Sequence, residues 1–168
     1  PDCMPHLLDK KNVQMLTAHK VFSEAELKSR CEIMLENYCK TVLIEANTMI
    51  DMAKTEIAPA VSAYALELAN TAAAKKAVDA SISCNYEAGL VRKLARLEDQ
   101  IAVKVDDLEE AVMQLQDAGS IEAESYKIRD VILGKMGELR VACDEAETMT
   151  AKKYWPFPTY GDLLFGVK

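Results

Sequence analysis

Two histidines and five cysteines are the side chains of this 168-residue chain best suited to holding a metal or attacking a carbon. A di-iron helical bundle needs Glu-x-x-His on paired helices, because the metals require carboxylate and imidazole projecting inward one turn apart. The residues three before His6 and His19 are Cys3 and Leu16, so that pattern is missing and no metal ligand is assigned. Cys3, Cys31, Cys39, Cys84 and Cys143 are odd in number and irregular in spacing, and no Cys-x-x-Cys pair occurs among them. Neither a zinc site nor a complete disulfide framework follows, and reduced thiols in a cytoplasm are the expectation. Cys31, Cys39 and Cys143 fall on or beside apolar stripes, where inert packing outweighs nucleophilic chemistry.

Phosphate binding calls for a Gly-rich loop ahead of a helix. Gly89, Gly119, Gly134, Gly137, Gly161 and Gly166 form neither Gly-x-Gly-x-x-Gly nor a P-loop, so no cofactor-binding residue is assigned. Gly134 and Gly137 fall within a helical pattern, where close packing is the expected reason for them. Carboxylate pairs such as Glu109 with Glu110, or Glu122 with Glu124, belong to regularly charged helix faces and read as solvated rather than catalytic. Met34, Met49, Met52, Met113, Met136 and Met149 suit an adaptable peptide groove, but at helical spacing methionine more often fills gaps in a core. No catalytic residue is assigned.

Side chains with so little chemistry of their own must be explained by the elements that carry them. Half the residues are apolar, while Gly, Pro and Phe number only six, five and three. Ala, Leu, Glu, Lys and Met lose least on entering a helix, so the fold class is all-α. Asp9 can cap a short helix to about Lys20, with Val13, Leu16 and the methylenes of Lys20 facing inward. Ser23-Glu24-Ala25-Glu26 is a capping box that opens a long helix. Its stripe runs Leu27, Cys31, Met34, Tyr38, Val42, Ala46, Met49, Ala53 and Ile57. Pro59 should bend this helix near Glu56-Ile57 without stopping it, since Val61, Tyr64, Leu68 and Ala72 carry a stripe onward.

The pattern falters from Ala80 to Asn85, a connector of ordinary length. A third rod carries Leu90, Leu94, Leu97, Ile101, Val105, Leu108, Val112 and Leu115 to Gly119, which suits a left-handed C-terminal position. Ser120 caps the next, with Ile121, Ser125, Ile128, Ile132, Met136, Leu139, Cys143, Ala146 and Met149 inward. Long amphipathic helices on short turns predict an up-down bundle of antiparallel helices over 23–150. Residues 1–22 form an N-terminal segment with a short helix, and 151–168 an extended aromatic and proline tail, all within one helical domain.

A formal charge of −7, from 20 basic and 27 acidic residues, opposes binding to nucleic acid or to an anionic membrane surface. No apolar run approaches the roughly 20 residues that cross a bilayer. The opening Pro1-Asp2-Cys3-Met4-Pro5 is what an excised piece of a longer chain would show.

In the tail, Pro156 and Pro158 force an extended path, and the only Trp and two of the three Phe are concentrated there. So much apolar area needs cover, which makes Trp155, Phe157, Tyr160, Leu163, Leu164 and Phe165 candidate docking residues. The string Trp155-Pro156-Phe157-Pro158-Thr159-Tyr160-Gly161-Asp162-Leu163-Leu164-Phe165 closely resembles the C-terminal end of type III glutamine synthetases. Val21 to Leu27, Glu32 to Lys40, and Ile44-Glu45-Ala46 through Ile57-Ala58-Pro59-Ala60-Val61 resemble the same family. The resemblance implies a parent glutamate–ammonia ligase using ATP and Mg or Mn inside a ring-shaped homo-oligomer. It places the catalytic β-grasp region and metal-binding sheet before this segment, so the piece itself is expected to be inactive and to bind none of these cofactors. Its partners would be the rest of the parent chain and neighbouring subunits, with a structural or assembly role. A helical partner-docking or regulatory module is the alternative.

Overall fold

Local chemistry sets the ends of the helices in the computed structural model, which describes residues 1–117, 119–158 and 160–166, with the side chains of Gln116, Asp117 and Tyr160 outside that description. Seven α-helices are present among these residues, and no strand: α1 (Lys10–Ala18), α2 (Glu24–Met52), α3 (Ala58–Val78), α4 (Asn85–Met113), α5 (Ile121–Lys127), α6 (Leu133–Met149) and α7 (Tyr160–Phe165). The Ser23 box forms as expected: the Ser23 amide donates to Glu26 Oε2 at 2.7 Å, and the Glu26 amide donates to Ser23 Oγ at 3.3 Å. These bonds satisfy donors that have no partner within the helix, and the Ser23 amide and hydroxyl, both donating to Glu26 Oε2, hold the Glu26 carboxyl below its ordinary range. At the other turn Gly119 takes φ +75°, and Ser120 Oγ accepts the Ala123 amide at 3.2 Å. The capping expected of Asp9 does not occur; its carboxylate turns instead to His6 Nδ1 at 3.2 Å. Lys20 lies beyond α1, exposed and at φ 57°, rather than facing inward.

Two π-turns interrupt the rods. Ala53–Ile57 lies between α2 and α3, ending two residues before Pro59, and lets the chain continue where proline can offer no amide hydrogen. Ile128–Ile132 is a second π-turn, between α5 and α6, that no proline announces. The third rod ends earlier than expected, because α4 stops at Met113 and a tighter 3-10 turn, Gln114–Asp117, follows.

The chain forms two compact units, Pro1–Thr48 with Leu108–Met136 and Met49–Asp107 with Gly137–Lys168. In the first, Leu27, Cys31, Leu35, Cys39, Val42 and Ala46 of α2 are buried, as are Leu108, Leu115, Ile128 and Ile132. Met34, expected inside, is 55 % exposed, and its place is taken by Leu35. The Arg129 guanidinium engages both Asp2 and Asp130, tying the N-terminus to the second π-turn.

In the second unit the core holds Ile50, Ala53, Ile57, Val61 and Leu68, then Leu94, Leu97, Ile101 and Val105, then Leu139, Cys143 and Ala146. Ile50 rather than the expected Met49 is the fully buried member. Ser62 pairs with Glu98 and Lys75 with Glu87, so position falls along α4 as it rises along α3, the mark of antiparallel helices. Lys104 reaches Glu138 at 2.6 Å and joins α4 to α6.

Glu87 is buried at the α3–α4 turn, and its hydrogen bond from Lys75 holds its carboxyl below the ordinary 4.5. The same bond raises Lys75 above the ordinary 10.5. A carboxyl with a depressed folded value contributes stability above its unfolded value and loses it as pH falls through the folded one. The raised lysine contributes below 10.5 and loses that contribution at higher pH. Melting temperature is therefore expected to fall as pH drops below about 4.5, and Glu87→Gln should flatten that acid limb when melting is followed by circular dichroism.

Close packing does not explain Gly134 and Gly137. Both are exposed, and a Cβ at either would meet nothing within 4 Å. Alanine at each should thus add about 0.5–1 kcal/mol by lowering the entropy lost on entering the helix, measurable by urea denaturation.

Candidate functional site

Helix α6 ends where the Thr150 amide and hydroxyl both donate to the Ala146 carbonyl, at 2.9 and 2.8 Å. The hydroxyl saturates a carbonyl already used by the last turn, and the Tyr154 amide then folds back on Ala151 at 2.8 Å. This tight reversal precedes the prolines and turns the tail onto α3. There Tyr154 lies with its ring centroid 5.5 Å from that of Tyr64, tilted by 38°, and its hydroxyl donates to Glu67. Lys153 Nζ also reaches Glu67, at 2.7 Å, and stands 4.8 Å from the centre of the Tyr154 ring. Glu67 and Tyr64 are three apart on α3 and present one face to the tail. Burial raises the Tyr64 hydroxyl above its ordinary range, so it stays protonated.

The tail then runs along α6. Trp155 and Phe157 are half-buried and meet edge to face, centroids 6.3 Å apart. With Pro158 and Leu163 they line a cavity of about 710 Å³. Arg140, Cys143, Asp144 and Glu147 follow the spacing that puts residues on one face of α6 and also line this cavity, with Thr148, Met52 and Ile57 completing the lining. The Arg140 guanidinium lies 3.4 Å from Asp144. Burial pushes the Cys143 thiol up to about 11, so it is neutral and weakly nucleophilic at neutral pH. Burial raises Cys31 and Cys39 likewise.

Of the six expected docking residues, Trp155, Phe157 and Leu163 are brought together in this cavity. Leu164 and Phe165 stand in solvent on α7, 72 % and 82 % exposed, and Leu163 is 68 % exposed. The Tyr160 side chain lies outside the described residues. An ion pair of 2.6 Å between Lys152 and Asp162 fastens α7 to the start of the tail. Sequence reading missed the anchor, Glu67 with Lys153 and Tyr154. The available signal was an acidic residue three after Tyr64, on the edge of an apolar stripe. Among the described residues no group of three or more His, Cys, Asp or Glu converges, and no helix is long and apolar enough to cross a membrane.

The family model for the glutamine synthetase C-terminal domain matches residues 1–76, and similarity to individual proteins extends over the remainder. A glutamine synthetase of Butyrivibrio fibrisolvens is 32 % identical over the whole of this chain. The chain is similar to the C-terminal domain of glutamine synthetases. A type-3 glutamine synthetase of Dictyostelium discoideum and a glutamine synthetase of Bacteroides fragilis (strain YCH46) are each 24 % identical over 98 % of it. The chain spans about a quarter of these relatives' length, 24 %, 23 % and 23 % respectively, and matches their C-terminal part. The tail lies beyond residues 1–76, in the part of the chain matched by the individual relatives.

Proposed function

We propose that this domain is the non-catalytic C-terminal part of an ATP-dependent glutamine synthetase and that it serves assembly of the enzyme's subunits. The observation that carries this reading is the pinned tail. The Glu67 anchor and the Lys152–Asp162 pair hold the segment in place, yet Leu163, Leu164 and Phe165 face solvent. Apolar side chains fixed at the end of an ordered segment present a surface for another protein body at little further entropic cost. The occupants that fit are the rest of the parent chain and a neighbouring subunit. ATP and Mg or Mn would be held by the parent's catalytic region, since no residue here is assigned to them. Five free thiols support a reducing cytoplasmic setting.

The 168-residue chain alone is expected to form no glutamine from glutamate, ammonia, ATP and Mg. Measurable turnover above a no-protein control would contradict the non-catalytic reading.

A second reading, a partner-docking or regulatory module, draws on Met34. It stands exposed beside Ile33 on α2, lining a shallow groove with Ser29 and Arg30 in the first unit. Exposed methionine adapts to varied apolar partners. Cross-linking of the parent enzyme that captured only contacts between its own subunits would count against it.

A further inference from the structure

The cavity between the tail and α6 carries more than an anchor requires. Its volume of about 710 Å³ lies within the range of roughly 300–1,000 Å³ typical of small-molecule sites. Its lining is of two kinds: Trp155, Phe157 and Leu163 supply flat apolar surface, and α6 supplies charge. That charge is not balanced. Arg140 is committed to Asp144, which leaves the Glu147 carboxylate over, half-buried and with no ion pair or hydrogen bond to it among the described residues. A carboxylate sharing a cavity with two aromatic rings favours a cation, because the faces of indole and phenyl rings carry negative potential and attract ammonium groups. An anion would meet a net negative rim and is disfavoured.

We propose that this cavity binds a primary organic amine with an apolar body, its ammonium held by Glu147 and its body laid against Trp155, Phe157 and Leu163. The amine bears an aryl or short alkyl group, because the apolar wall is built from rings and one leucine, with the neutral Cys143 thiol and Met52 behind. Leu163 borders both the cavity and the exposed end of the tail, whereas Glu147 belongs to the cavity and Leu164 and Phe165 lie outside its lining, so the two roles are tested through different residues.

Trp155 is the only tryptophan in the chain, so its emission reports on the site directly. Titration of the 168-residue protein with 2-phenylethylamine is expected to change that emission saturably, at millimolar concentration or below. The neutral 2-phenylethanol and the anionic phenylacetate, of similar size, should bind at least about tenfold more weakly. Glu147→Gln, at a half-buried position, should raise the half-saturating amine concentration at least about fivefold while the protein's melting temperature changes little. Raising NaCl from about 0.02 to 0.5 M should weaken the wild-type interaction several-fold, a readout independent of any variant. The proposal is overturned by an absence of saturable change with the amine, by equal binding of the alcohol or the acid, or by affinity indifferent to both Glu147→Gln and salt.

Discussion

Leu94→Ala is expected to destabilise the domain by about 3 kcal/mol, within the roughly 2–5 kcal/mol spanned by buried leucine truncations. Leu94 is fully buried at 0 % exposure on α4, in the same core as Val61, Leu97 and Leu139. Truncation removes about three carbons from apolar surroundings and leaves a void that flanking helices can close only by shifting whole rods. Long helices fixed to one another by Lys75–Glu87 and Lys104–Glu138 have little freedom to make that shift. Equilibrium urea denaturation should show the midpoint falling while the slope is preserved, which marks lost stability rather than a changed unfolded state. Leu66→Ala, on α3 but 62 % exposed, should change stability by under about 0.5 kcal/mol and serves as the contrast.

Tyr154→Ala should cost about 2 kcal/mol and free the tail from α3. The substitution removes a half-buried ring packed at a tilt against Tyr64 and takes from Glu67 its hydroxyl donor, leaving Lys153 to that carboxylate. Trp155 is the next residue, so its emission should shift to longer wavelength as it enters water, while helical ellipticity stays close to that of the parent sequence. Tyr154→Phe keeps the ring and loses only the hydroxyl, so it should show a smaller loss, about 0.5–1.5 kcal/mol, and little spectral shift. Equal behaviour of the two variants would mean that the hydroxyl, rather than the packed ring, anchors the tail.

The helices were legible in the sequence because their signals are local. Ser23 with Glu26, and Gly119 with Ser120, fix helix ends through atoms three residues apart or fewer, and each forms as its spacing predicts. The stripe of α4 was equally plain, since Leu94, Leu97, Ile101, Val105 and Leu108 have polar or small neighbours on either side that leave one choice of face. On α2 apolar residues stand side by side, Met34 with Leu35 and Met49 with Ile50, and periodicity alone cannot choose between them. The core took Leu35 and Ile50, following Leu27-Cys31-Leu35-Cys39-Val42-Ala46-Ile50-Ala53, a path of mostly four-residue steps. The π-turn at Ala53–Ile57 adds a residue to the helix and carries this face on to Val61. A helix-period template has no place for that added residue.

The site was only half legible for a different reason. Aromatic and proline residues concentrated in the tail signalled that it needed cover, which is composition and can be read directly. Its anchor joins Lys153 and Tyr154 to Glu67 across 86 and 87 residues of chain, a pairing set by how α3 and α6 meet in the second unit. Likewise Glu147 reads as one more charge on a helix face until it is found lining the same cavity as Trp155 and Phe157.

The assembly role is tested most directly by the solution mass of a full-length glutamine synthetase that carries this domain, measured by light scattering with Leu164 and Phe165 intact or both replaced by alanine. The account predicts that the doubly substituted enzyme dissociates to smaller species at concentrations where the unaltered one stays assembled, with the helical content of the domain retained. Identical mass across the same dilution series, with both residues replaced, would contradict it.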